Sequence, residues 1–223
     1  MCGRYTQTSA FDELALRFGI TVEDEDREAL TPRYNTAPSL SVPVVVATAG
    51  GRRLVMARWG FRPAWMKGST PAPINAKAET LATSRMFQDT LARGRCLVPA
   101  DGFYEWKAVP GQKRKQPYYV KVRDGLFAFA GLWTPSAGAG LPPTCAIITT
   151  APNELLAEIH NRMPAILERS DEERWLDPRV TNTADLLACL RPLAAERMEA
   201  YAVSALVSSP GNEGPELVEP LSR

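Results

Sequence analysis

The chain has a single histidine, His160, in 223 residues, and its four cysteines, Cys2, Cys96, Cys145 and Cys189, lie far apart. It contains no CxxC pair, no HExxH helix, no P-loop and no dinucleotide-binding glycine pattern. Zinc sites of the usual histidine- and cysteine-rich kinds are therefore disfavoured, and no metal or cofactor is expected. Cysteines this sparse build no disulfide scaffold; they suggest a reducing compartment and mostly buried thiols. The apolar runs fall far short of the ~20 residues of a membrane span, and no apolar signal segment opens the chain. These absences lead to the expectation of a soluble, cytoplasmic, monomeric protein with no membrane partner. There is no internal repeat and no long linker, so one domain over residues 1–209 with a tail over 210–223 is expected.

What is present begins at Met1-Cys2-Gly3-Arg4-Tyr5. If Met1 is removed, Cys2 carries a free α-amine beside its thiol. Such a 1,2-aminothiol condenses with an aldehyde to an imine, and the thiol then closes onto the imine carbon as a thiazolidine. Reference pKa values of about 7.7–8.0 for the amine and ~8.5 for the thiol make both nucleophiles accessible near neutral pH. A cysteine at position 2 is, taken alone, usually an accident of translation.

The net charge of +1 conceals an asymmetry: residues 1–134 hold 19 Lys/Arg against 12 Asp/Glu, and residues 135–223 hold 7 against 13. A basic front portion could present a phosphate-binding face, unless folding intermingles the two portions. The acidic run Glu23 to Glu28 reads as a solvated face rather than a metal site.

Local patterns predict an α+β protein. Ser9-Ala10-Phe11-Asp12 reads as a capping box, with Phe11, Leu14 and Phe18 on one helix face and Gly19 as the stop. Val42–Ala47 and Leu54–Trp59 around Gly50-Gly51 predict a hairpin whose first strand Pro43 would place at an edge. A helix is expected over about 79–92, ending at Gly94. Leu97–Pro99 and Phe103–Trp106 flank an Asp101-Gly102 turn, and Tyr118–Val122 and Leu126–Trp133 flank Asp124-Gly125. Thr144–Thr150 reads as a strand, followed by a helix from Pro152-Asn153 to His160, helices at about 171–176 and 183–190, and a strand at 201–207. The Gly-, Ala- and Pro-rich stretch Pro135–Pro143 is too poor in apolar residues for a core element. Hairpins carrying the core with helices grouped beside them indicate α+β.

Four segments carry candidate chemistry: the N-terminus, Asn75-Ala76-Lys77-Ala78-Glu79, Asp101-Gly102-Phe103-Tyr104-Glu105-Trp106, and Ile159-His160-Asn161-Arg162-Met163-Pro164. Strand alternation puts Phe103 and Glu105 on one face and Tyr104 and Trp106 on the other. A carboxylate among core-like neighbours would have a raised pKa and could move protons, or Glu105 could be an exposed strand residue. His160 suits proton transfer near neutral pH, or could be a surface capping residue. Arg4, Arg58, Arg62, Lys67, Lys77, Arg85 and Arg162, with Trp59, Trp65 and Trp106, could supply phosphate contacts and stacking surfaces for single-stranded nucleic acid.

Together these segments, with Arg95–Trp106 read as one block, resemble the SRAP family, the SOS response-associated, abasic-site processing proteins, in order and spacing from Cys2 to about Val207. The resemblance implies a single domain with a β-barrel-like core of antiparallel strands surrounded by helices, and a basic DNA channel. It also implies that Met1 is lost, a cleavage often described in the family as autocatalytic, and that Cys2 joins covalently to the ring-opened aldehyde of an abasic site in single-stranded DNA. The crosslink shields the lesion in a DNA-damage response. Carried over by position, Cys2 supplies both nucleophiles, Asn75 holds the abasic sugar or the N-terminus, and Glu105 moves protons. His160 acts at the sugar, while Arg4, Arg162 and the aromatic neighbours contact DNA. Lys77 departs from the family's usual Asn-Ala-Arg-x-Glu; lysine keeps the charge but loses the bidentate fork. Strand-cleaving lyase chemistry, junction DNA as a partner and nucleoid association belong to the same set of expectations. Two other readings stay open: an N-terminal-nucleophile cysteine peptidase or amidase using Cys2, His160 and Glu105, and a non-catalytic nucleic-acid-binding module.

Overall fold

Consecutive apolar residues, rather than simple alternation, mark the central strands. Val42, Val44 and Val46 pack into one cluster and Val45 into another, so this strand is buried on both faces. The computed structural model describes residues 2–21, 30–68, 70–136, 138 and 140–221. Met1 and the acidic run lie outside the described residues.

Among the described residues twelve strands form two sheets. The first is antiparallel and uses β1 (Tyr5–Gln7), β2 (Arg33–Thr36), β7 (Gly102–Lys107), β8 (Gln116–Val122) and β12 (Met198–Ala202), in the order β12-β8-β7-β1-β2. The second uses β3 (Ser41–Thr48), β4 (Gly51–Trp59), β5 (Asn75–Lys77), β6 (Arg95–Ala100), β9 (Phe127–Thr134), β10 (Thr144–Thr150) and β11 (Met163–Pro164). Its strands run β10-β4-β3-β6-β9, and β9 pairs back onto β10, so the sheet closes into a ring. β5 and β11 extend it along β10, β5 parallel and β11 antiparallel. The α+β class and the ring-like core are as expected, although the β10–β4 and β10–β5 pairings are parallel.

Helices cover the ring. α1 (Phe11–Phe18) buries Phe11, Leu14 and Phe18 and ends at Gly19, whose φ of 62° is the left-handed conformation that stops a helix. α2 (Gln88–Arg93), α3 (Glu154–Ala157), α4 (Arg169–Leu176) and α5 (Thr183–Ala188) follow. Trp175 of α4 is fully buried and donates its indole N–H to Cys96 O at 3.0 Å. Burying such a ring contributes on the order of 3 kcal/mol. Arg95, at the start of β6, donates to the carbonyl oxygens of Trp175 (2.6 Å), Leu91 (2.7 Å) and Asp177 (2.7 Å), fastening α2 and α4 to the ring.

Several local expectations are corrected. The capping box does not form: Ala10 is the N-cap without a side-chain bond, and Ser9 Oγ instead donates to Asp101 Oδ1 at 2.8 Å. Pro43 is not on an edge strand, because β3 lies between β4 and β6; the β6 register touches only Val45↔Leu97, leaving the proline end of β3 outside that ladder. The helix over 79–92 breaks into a 3₁₀ turn (Ala78–Thr80) and α2; between them the Thr83 hydroxyl and N–H both turn back onto Thr80 O, local bonds that compete with a continuous helix. The helix expected to reach His160 ends at Ala157, and the last strand ends at Ala202, giving way to a 3₁₀ turn over Ala205–Ser208.

The two aspartate-glycine turns are not hairpins. β6 and β9 belong to the ring, whereas β7 and β8 belong to the other sheet, so at Asp101-Gly102 and Asp124-Gly125 the chain crosses between sheets. Asp101 anchors the first corner by accepting from the Thr8 N–H, from Thr8 Oγ1 at 3.0 Å and from Ser9 Oγ. Gly102 is required there, since a Cβ would lie 2.3 Å from the Tyr119 ring. The expected tail is packed: Leu217 is fully buried, Tyr201 donates to Val218 O at 2.9 Å, and Asn35 Nδ2 donates to Ser209 O and Asn212 O at 2.9 and 2.8 Å.

Candidate active site

The two sheets enclose one apolar cluster; of the four expected reactive residues Cys2 lies within it, and Glu105, Asn75 and His160 are on segments that border it. Phe103, Tyr5 and Val120 of the first sheet meet Trp59, Cys145 and Ile147 of the ring. Cys2 is fully buried in this cluster. Tyr104 N–H donates to Arg4 O at 2.9 Å, and with Tyr5↔Phe103 in register, the antiparallel run carries Gly3 alongside Glu105. Glu105 is 2% exposed and faces inward with Phe103, whereas Tyr104 and Trp106 face the C-terminal segment, the alternation the sequence predicts.

Asn75 and His160 reach this border from the ring. Asn75 opens β5, and its Nδ2 donates to Ile147 O at 3.4 Å, next to a side chain of the cluster. Its Oδ1 is buried with no hydrogen-bond partner among the described residues, an acceptor that a bound donor would satisfy. His160 lies in the loop between α3 and β11, flanked by Leu156 and Met163, both in the cluster. His160 Nδ1 lies 3.1 Å from Arg162 N and 3.2 Å from Arg162 O, so the backbone of Arg162 orients the ring in either tautomer.

Electrostatics distinguish these groups from ordinary surface residues. Burial pushes the Glu105 carboxyl up to about 7, against the opposing pull of the positively charged chain terminus. Burial, and then the charge of Glu105, hold the Cys2 thiol well above its usual range. Burial and the same terminal charge lower His160. Glu105 is thereby poised to give or take a proton near neutrality, while the thiol is not a ready thiolate with Met1 attached.

The expected DNA-contacting residues divide. Arg58, Lys67, Lys77 and Arg85 are exposed, as is Trp65 at 60%. Arg62 bonds the carbonyl oxygens of Gly68 and Thr70. Others are engaged within the protein. Trp59 has no open face: it is fully buried, with its indole N–H on Ile74 O at 2.9 Å. Arg4 is buried and donates to Asn35 Oδ1 at 2.8 Å and Val207 O at 2.9 Å, its guanidinium 5.9 Å from the Trp106 ring centroid. Trp106 in turn donates to Ser208 Oγ at 3.1 Å. Arg162 is held in a bidentate pair with Glu79 (2.7 and 2.9 Å) and donates to Thr149 O at 2.6 Å, tying the His160 loop to the segment after β5.

Sequence reasoning missed Glu79, Thr149 and Asn35 as supports of the site. Glu79 stood in a quoted motif, but nothing in its spacing shows that its partner is 83 residues away. A cavity of about 640 Å³ lies beside the site, lined by Arg58, Arg62, Met66, Ile74 and Thr144 among others; Cys2, Glu105 and His160 do not line it, and Ile74 connects it to Asn75.

Comparison with known proteins agrees over nearly the whole length. The family model for SRAP, SOS response associated peptidase, matches residues 1–210. The abasic site processing protein YoqW of Bacillus subtilis is 44% identical, covering 98% of this chain and 99% of that protein. YedK of Escherichia coli, also named an abasic site processing protein, is 31% identical over 99% of this chain and 100% of its own length. A solved structure from Bacteroides thetaiotaomicron superposes with a TM-score of 0.87 at 27% identity, covering 99% of this chain and 100% of that one. The chain belongs to the SRAP family.

Proposed function

We propose that the protein processes abasic sites in single-stranded DNA by forming a thiazolidine between Cys2, once Met1 has left, and the aldehyde of the ring-opened sugar. The observation that carries this reading is the buried Glu105 carboxyl, held near 7 against a cysteine whose α-amine becomes a nucleophile on loss of Met1. The raised thiol argues against thiolate-first peptidase chemistry and for an amine that attacks first. The relatives named abasic site processing proteins support the substrate.

The chemistry needs protons moved in both directions. The cyclic hemiacetal opens when a proton reaches O4′ as the anomeric hydroxyl loses one. The neutral amine then adds to C1′ to give a carbinolamine, and a second proton lets its hydroxyl leave as water. The sulfur closes onto the resulting iminium carbon as the thiol gives up its proton. Aldehyde and aminothiol thus join with loss of one water and no change of oxidation state. Glu105 and His160 carry these protons, and Asn75 Oδ1 accepts from the amine or a sugar hydroxyl. An imine left open would favour β-elimination of the 3′ phosphate, so ring closure stores an intermediate prone to cleavage.

Intact mass before and after mixing with an abasic oligonucleotide tests the reading, because it reports Met1 loss and the adduct together. The expected adduct is the sum of the two masses less one water. Cys2→Ala, whose amine remains, should give only imine adducts and increased strand cleavage. A heat-stable crosslink in that variant would remove the thiol from the mechanism.

A further inference from the structure

The β7–β8 hairpin carries charge that none of the motifs accounts for. Its tip turns at Pro110-Gly111: Gln112 N–H donates to Val109 O at 3.1 Å, and Gly111 has φ 77°, the sign a type II turn needs at its third residue. Lys113, Arg114 and Lys115 follow, all exposed. Among the described residues no acidic side chain pairs with any of the three. Two of the cations expected to bind DNA differ in this respect: Arg4 and Arg162 are spent on internal partners.

The hairpin bears one of the reactive residues. Glu105 lies on its first strand, two residues before Lys107, and pairs with Tyr118, while Lys107 pairs with Gln116, next to Lys115. Lys107 Nζ reaches Glu158 Oε2 at 3.9 Å, which leans the hairpin against the loop carrying His160. The charge of Lys115 is felt at both Glu105 and His160. Lys77, in contrast, approaches the site from the ring.

We propose that the Lys113-Arg114-Lys115 tip is a phosphate-binding arm that holds the backbone of a single strand beside the nucleotide entering the Cys2 pocket. The inference rests on the DNA-processing reading and adds to it a contact surface on the sheet that bears Glu105. Cations without an acidic partner give up no ion pair on meeting a phosphate, and a guanidinium between two ammonium groups offers one bidentate and two point contacts. Binding releases counterions, so the arm has a salt signature separate from the chemistry.

The test measures affinity for an unmodified single-stranded oligonucleotide across a salt series, with wild type and the triple variant Lys113→Gln/Arg114→Gln/Lys115→Gln. Each phosphate contact contributes about 0.7 to the slope of log affinity against log salt, so loss of two or three should flatten it by about 1.4–2.1. A charge-matched control, Arg169→Gln/Arg174→Gln/Arg179→Gln, removes the same net charge from exposed positions on and after α4. An unchanged slope in the hairpin variant, or equal flattening in the control, overturns the arm. Flattening confined to the hairpin variant supports it, even if wild type forms no adduct with abasic DNA; that second result would sink the crosslinking reading alone.

Discussion

Replacing Glu105 by glutamine should make the protein more stable at neutral pH while disabling it. Burial raises this carboxyl from its ordinary 4.5 to about 7, so the folded state holds the proton more tightly than the unfolded chain does. The stability linked to that proton is fully present below about pH 4.5, declines as pH rises, and is lost above about pH 7. The interval corresponds to roughly 3 kcal/mol at the high-pH limit, of which about 2 kcal/mol is lost between pH ~5 and pH ~7. Glutamine is neutral throughout and escapes this loss. Thermal melts of both proteins at the two pH values isolate the effect, because pH-independent differences in packing and hydrogen bonding cancel. The stability advantage of Glu105→Gln should widen by about 2 kcal/mol, roughly 4–8 °C in Tm for a chain of this size. Over the same range its rate of adduct formation with abasic DNA should fall about 10²–10⁴-fold, the usual worth of a positioned acid–base group. A Tm gap that stays constant or narrows as pH rises would refute the raised carboxyl and with it the proton-carrying role.

Two further outcomes follow from particular contacts. Lys77→Arg restores the fork that the family segment commonly carries at an exposed position on β5; it should tighten single-stranded DNA binding by about 1 kcal/mol, roughly fivefold, and affinity unaltered at every salt concentration would count against a phosphate contact there. Gly102→Ala drives a methyl into the Tyr119 ring, which Thr6 holds at 2.9 Å and Tyr104 and Tyr201 flank at 5.2 and 5.8 Å between centroids. Denaturant unfolding should show a loss of ~1–3 kcal/mol, and wild-type stability would mean that the corner can shift without strain.

Local patterns were legible wherever a short-range rule had no tertiary competitor. Gly19 ends α1, the valine run builds β3, and alternation on β7 puts Glu105 inward with Phe103. The failures share one cause. Ser9 could have capped α1, but Asp101 offers its hydroxyl a charged acceptor from 92 residues away. The aspartate-glycine turns looked like hairpins because turn chemistry does not encode which sheet the next strand joins. Residues 210–221 looked like a tail because the surface that covers Leu217, contributed by Tyr104, Tyr119, Val203 and Val207, is assembled from distant segments.

The sequence by itself determined the chemical identity of the candidate nucleophile, since an α-amine and a thiol on one residue need no fold to be adjacent. It also determined the family, through four motifs in order. Only the tertiary structure decided which cations are open to a ligand: Arg4 and Arg162 turn inward, while Lys113, Arg114 and Lys115 remain exposed. It alone decided that Glu105 is held near 7 and that Cys2 is sealed from water. Desolvation and ion pairing depend on what surrounds a group, and those neighbours come from segments that the chain order keeps far apart.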